Sequence, residues 1–150
     1  MKILIFNLLS IVSGMAIVIQ SSLSGQLSKN LQNPLLSSFC LYLVSAILIG
    51  VLIAFGLVPL PSIERVRATP THLWFLGSLF SVVGLGLCYW LMPQIGVARV
   101  LVGVVTGQMV VATIISHFGI FGMPVIEINK EKFIGLVLLI VSVLLINKEG

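Results

Sequence analysis

The sequence predicts an all-α, polytopic membrane protein with five transmembrane helices, and three observations predict it. Only 8% of its 150 residues are charged, against 59% hydrophobic. A soluble domain carries roughly 25% charge, so this chain has too few charged groups to cover a water-facing surface. Apolar runs recur at about the length a bilayer demands, roughly 17–25 residues per helical span. Finally, all six prolines, and every charge except Arg99, fall between or beside those runs.

The first span covers residues 3–27. Met1 and Lys2 followed by an apolar run have the look of a signal peptide. The run continues through Ser and Gln to about Gln26, however, and further spans follow. It reads as a transmembrane helix that doubles as an uncleaved insertion signal. The second span covers 35–57. Asn33-Pro34 marks its start, an N-cap followed by proline at the first helical position. The third, 73–92, follows Thr69-Pro70-Thr71 and is expected to end at Pro93. The fourth covers 97–117. The fifth, 131–147, is capped by Asn129; its apolar core from Phe133 to Ile146 is only fourteen residues, so Lys132 and Lys148 must snorkel.

Two joints are short, Lys29–Asn33 and Pro93–Gly96. The second makes the third and fourth spans antiparallel neighbours. Two are longer, Val58–His72 and Phe118–Lys132. Neither has room for a soluble domain, so residues 1–150 read as a single transmembrane domain.

Five spans put the termini on opposite sides. One side receives Lys2, Arg65, Arg67, Lys130 and Lys132; the other receives Lys29, Arg99 and Lys148. Positive-inside reasoning then places the N-terminus in the cytoplasm. The margin is small enough to be compatible with insertion in both orientations.

The net charge of +4 comes from basic residues that flank apolar runs. They read as topology signals and lipid-headgroup contacts. No basic stripe with interleaved aromatics points to nucleic acid. Cys40 and Cys88 lie inside apolar runs as small packing residues. No zinc-ligand cluster, phosphate loop or nucleophile–base pair is visible, so neither enzyme activity, metal nor cofactor is expected.

The polar faces are the candidates for function. In the first span Asn7, Ser10, Gly14, Ser21, Gly25 and Ser28 share one sector, widened by Ser13, Gln20 and Ser24. The stripe is either a hydrated wall or a packing face of small residues. Gln20 tilts toward the first, because a buried amide needs partners that lipid cannot supply. In the third span Gly77, Ser81, Gly84 and Cys88 form a smooth face, read as a packing seam. Trp74, Tyr89 and Trp90 near its ends read as interfacial anchors.

In the fourth span Arg99, Gly103, Thr106, Val110, Thr113 and His117 share a face, with Gln108 roughly opposite Arg99. Gly103 and Gly107 form a GxxxG pair. Arg99 either snorkels to headgroups or, held deeper, marks a solute path. His117 can titrate near neutral pH or serve as an interfacial structural residue. Gln20, Ser21, Ser24, Arg99, Thr106 and Gln108 are the expected path residues. Glu64, Glu127, Glu131 and Glu149 all lie in loops, tails or ahead of an apolar core, so no intramembrane carboxylate is on offer as a proton relay.

The run Gly107-Gln108, His117-Phe118-Gly119, Phe121-Gly122 and Pro124, with Gly135 in the last span, resembles the C-terminal half of the YdcZ-like family of the drug/metabolite transporter superfamily. Upstream, Gly14, Gln20 and Leu27, Trp74 with Gly77, and Pro93 with Gly96 agree. Two departures stand out. Ser116 stands where the family tends to have an acid, and Ser24-Gly25 where it tends to have Asn-Ala; both thin the polar network.

The resemblance implies one half of a ten-helix inverted-repeat transporter, rebuilt by head-to-tail dimerisation with itself or a sibling chain. It also implies a bacterial-type cytoplasmic (inner) membrane. The expected function is a transporter subunit that moves a small organic solute, a metabolite or drug-like compound, by alternating access. A non-transporting accessory or scaffold protein is the alternative. A channel is less supported, because no ring of charge or filter-like loop is evident.

Overall fold

A computed structural model describes residues 2–148 of the chain, with side chains from residue 3. The Met1 start of the expected insertion signal, the Lys2 side chain and the tail residue Glu149 lie outside the described residues. The described residues form helices and connecting turns without strands. They divide into two compact units, Met1–Gln94 and Ile95–Gly150.

Unit 1 opens with α1 (Lys2–Leu31), α2 (Pro34–Ala54) and the short α3 (Ile63–Ala68). Helix α1 runs four residues past its expected end and stops where Gln32 turns to φ 51°. There the Asn33 N–H donates to the Ser28 carbonyl at 3.2 Å and the Gln32 N–H to the Lys29 carbonyl at 3.3 Å. This is the crossed pair that closes a helix end. Asn33 then begins α2 at once, its side chain accepting from the Leu35 and Leu36 N–H groups at 3.0 and 3.1 Å. One residue in a left-handed conformation and one cap therefore reverse the chain between two spans.

The same device ends α2. Gly56 (φ 70°) supplies the left-handed turn, and the Leu57 N–H reaches back to the Leu52 carbonyl at 3.0 Å. The loop beyond is not featureless. Ser62 caps α3, accepting from the Arg65 N–H, and Glu64 precedes Arg65 and Arg67 as the helix dipole favours.

Helix α4 (Thr71–Ile95) corrects the expected stop at Pro93: the helix continues through that proline to Ile95. Proline lacks an N–H and so leaves the Tyr89 carbonyl without its helical donor. One lost bond in the last turn bends or frays a helix end without stopping it. The stop is Gly96, at φ 89°, a conformation other residues adopt with difficulty.

Within unit 1 the packing is concentrated at one end. Ser21, Ser24 and Ser28 of α1, Ser37 and Ser38 of α2, and Gly86, Tyr89 and Met92 of α4 are buried. Small residues let these backbones approach where lipid offers no hydrophobic drive. Ser37 donates to the Ser24 carbonyl at 2.6 Å. A Cβ on Gly25 would meet the Met92 side chain at 3.1 Å. At the other end, α1 from Ile3 to Ile19, α2 from Ala46 onward and α4 up to Phe80 are all exposed.

Unit 2 holds α5 (Val97–Phe118), the short turn η1 (Ile120–Gly122) and α6 (Lys130–Asn147), with α5 and α6 packed together. Gly119 (φ 62°) ends α5, its N–H returning to the Ile115 carbonyl. A Cβ there would lie 2.8 Å from Val125, so glycine is demanded by conformation and by space. The chain folds back against α5 through the Ile126 N–H and the Ser116 carbonyl at 2.9 Å. Asn129 caps α6, accepting from the Lys132 N–H at 2.9 Å.

Helices α1, α2, α4 and α5 are long and apolar enough to cross a membrane. Helix α6 has eighteen residues, three of them charged in its first turn. Its apolar part is correspondingly short.

Candidate functional site

The most developed polar arrangement lies where α1 meets α4 in unit 1. Gln20 is half-buried on α1, and its Nε2 donates to the Tyr89 hydroxyl oxygen at 2.6 Å. A second, longer contact of 3.5 Å runs from the same nitrogen to Ser24 Oγ, one turn along. Tyr89 is 0% exposed, and Ser21 and Ser24 are 3% and 7% exposed. Three of the expected path residues, Gln20, Ser21 and Ser24, thus share one buried face.

The geometry has a chemical consequence. With Nε2 donating to the phenol oxygen, the Gln20 carbonyl remains an acceptor and the Tyr89 O–H remains a donor. Tyr89 is fully buried, so the uncharged group that the pair can turn to a solute is the carbonyl of half-buried Gln20. No cation or carboxylate takes part.

Tyr89 is a correction. An interfacial anchor was expected, but it is fully buried, whereas its neighbour Trp90 is 52% exposed. The available signal was position on the helix. Tyr89 lies four residues after Leu85 and three before Met92, on the stripe that also holds Ser81. Ser81 in turn bonds the Tyr42 hydroxyl of α2 at 2.7 Å. A cleft of about 490 Å³ lies beside that bond, lined by Tyr42, Gly77, Ser78, Ser81 and Val82.

The remaining expected path residues sit in unit 2. Arg99 is half-buried, on the first turn of α5. Thr106 Oγ1 donates to the Val102 carbonyl of its own helix at 2.9 Å. Gln108 is exposed. His117 packs edge-on against Phe118, with ring centroids 4.9 Å apart. Its Nδ1 is buried with no hydrogen-bond partner among the described residues.

The glycines of the expected seams are open. A Cβ on Gly77, Gly84, Gly103 or Gly107 would meet no atom within 4 Å. The glycines that touch another helix are Gly25, against Met92, and Gly86, where a Cβ would lie 3.5 Å from Leu35. Gly25 belongs to the first-span stripe for which packing was one of the two readings; Gly86 was on no expected face. Among the described residues, no group of three or more His, Cys, Asp or Glu is placed to hold a metal ion.

A family model described as "Putative inner membrane exporter, YdcZ" matches residues 5–145. No curated protein and no solved structure matches the chain.

Proposed function

The chain belongs to the YdcZ family of inner membrane exporters, and on that premise we propose that it carries a small, uncharged organic solute by alternating access. The buried Gln20–Tyr89 pair carries this reading. An amide and a phenol hydrogen-bonded at 2.6 Å between two spans make a neutral polar station that lipid alone would not require. Nothing on this face is charged to recognise a cation, and no acidic residue lies in the apolar core of a span.

The one-ended packing of unit 1 supports alternating access. Helices α1, α2 and α4 hold together at the Ser28–Ser37 end and leave the opposite halves unpartnered. Such an arrangement gives a solute entry from one side and a closed wall at the other. Helix α6 serves as a fifth span in this reading. Its eighteen residues rise about 27 Å, against a hydrocarbon core of about 30 Å, and Lys130, Lys132 and Lys148 can snorkel over the difference. Five spans make half of an inverted-repeat transporter, which a second chain in the opposite orientation completes. The nearly balanced loop charges suit that dimer, with an N-terminus-inside bias in each chain.

Two experiments test the proposal. Reconstituted protein should drive flux of at least one neutral solute in a broad panel; no flux for any compound, and no altered resistance in cells, contradicts transport. Topology reporters fused at either terminus should report both orientations for an antiparallel homodimer. A single orientation removes the homodimer and requires an oppositely oriented sibling. The Ser24–Ser37 and Gly25–Met92 contacts also suit a scaffold that uses its small residues only to associate. Gln20→Leu separates the two, because a scaffold loses only the small stability of one interhelical bond, whereas a transporter loses flux.

A further inference from the structure

Unit 2 holds a cleft that the solute station does not use. Between α5 and α6, Met109, Thr113 and Ser116 face Lys132, Gly135 and Leu136 around a space of about 350 Å³. The residues recur at three- and four-residue spacings, so each helix contributes a single stripe. The floor is apolar. It is open at Gly135, where an added Cβ would meet no atom within 4 Å.

The rim is polar and cationic. Lys132 Nζ donates to the Glu127 carbonyl at 3.0 Å. That acceptor is a neutral oxygen, and among the described residues no carboxylate pairs with the ammonium, which has two further donors. The Glu127 and Glu131 carboxylates belong to the same stretch of chain but do not line the cleft. The Ser116 and Thr113 hydroxyls complete the rim, with Thr113 Oγ1 donating to the Met109 carbonyl at 2.7 Å.

Lys132 lies in the first turn of α6, opposite the last turns of α5. That is headgroup depth, where basic residues between spans meet lipid phosphates. From Lys132 to Leu139, another lining residue, the helix descends about 10 Å into the apolar layer. A cationic rim above an apolar slot is complementary to an anionic head joined to a hydrocarbon chain.

We infer that the α5–α6 cleft binds an anionic phospholipid, with its phosphate on Lys132 Nζ and an acyl chain against Met109, Gly135 and Leu136. The full-length protein, stripped of lipid in neutral detergent, tests this by native mass spectrometry with phosphatidylglycerol or phosphatidylcholine. Wild type should retain phosphatidylglycerol in preference. Lys132→Gln should weaken that retention about fivefold, the effect of one near-surface cation, and leave phosphatidylcholine unchanged. Gly135→Leu, which fills the slot, should lose both lipids; Lys130→Gln, off the cleft, should lose neither.

Equal retention of the two lipids by wild type, or an undiminished preference in Lys132→Gln, overturns the site. Displacement of phosphatidylglycerol by millimolar inorganic phosphate overturns the lipid assignment in favour of a free anion. If Gly135→Leu does not fold, the lysine substitution, at an exposed position, decides alone.

Discussion

At the scale of single residues, the Gln20–Tyr89 bond has a modest energy and a specific geometry. Interhelical polar contacts in membranes contribute about 0.6 kcal/mol on average and about 1.7 at most, because the separated helices find other partners. Tyr89→Phe should therefore destabilise the protein by about 1 kcal/mol, read as a small drop in thermal unfolding temperature. Transport should fall much further, since the variant leaves the Gln20 amide without the partner that orients it. A loss of flux no larger than the loss of folded protein would assign the pair to structure. Gly25 behaves in the opposite way. A Cβ there meets Met92 at 3.1 Å, so Gly25→Leu should cost about 1–3 kcal/mol through overpacking. Met92→Ala should restore part of that in the same melting experiment; no rescue would mean that α1 and α4 do not meet here.

At the scale of elements, the chain ends its helices with local chemistry. Asn33 and Asn129 cap α2 and α6 as their positions in the sequence announce, because a cap depends only on its next three residues. Asn33→Ala should lower stability by about 1 kcal/mol, seen as earlier thermal unfolding. Gly119 carries a double demand, φ 62° and a neighbour 2.8 Å from where a Cβ would stand. Gly119→Ala should cost at least about 1–2 kcal/mol from the left-handed backbone alone and open the loop after α5 to proteolysis. Val125→Ala should relieve only the steric share. An unchanged cleavage pattern in Gly119→Ala would show that the turn is not fixed by this glycine.

Legibility falls off as the partner recedes along the chain. Pro93 drew a helix end one turn too early, because proline's local preference does not register that a last turn tolerates one missing bond. Tyr89 drew an anchor, because aromatic residues near span ends usually are one. The helical stripe it shares with Ser81, Leu85 and Met92 pointed inward, but its partner Gln20 lies 69 positions away, beyond any local pattern. Gln20 itself was legible, since a glutamine inside an apolar span has few roles. Gly25 was legible as part of a small-residue stripe, whereas Gly86 was hidden by the more regular spacings at Gly77–Gly84 and Gly103–Gly107, where an added Cβ meets nothing within 4 Å.

At the scale of the whole molecule, the account is of an inner membrane transporter whose helices leave much apolar surface for lipid or a second chain. Exposed faces on α1 through Ile19 and α4 through Phe80 are where an oppositely oriented copy is proposed to fit. Single cysteines at Gly14 in a chain with Cys40 and Cys88 replaced by Ala should crosslink between copies in membranes. Crosslinking absent at every position along that half of α1 would contradict the dimer while leaving the solute station intact.

The central claim is that Gln20 faces a solute path. Its most direct test is flux of a transported neutral solute through proteoliposomes carrying wild type or Gln20→Leu at matched folded-protein levels. The account predicts that the leucine variant inserts as wild type does, melts only slightly lower, as Tyr89→Phe does, and loses flux at least about tenfold, the equivalent of 1.4 kcal/mol in the transport barrier. Undiminished flux through Gln20→Leu would contradict it.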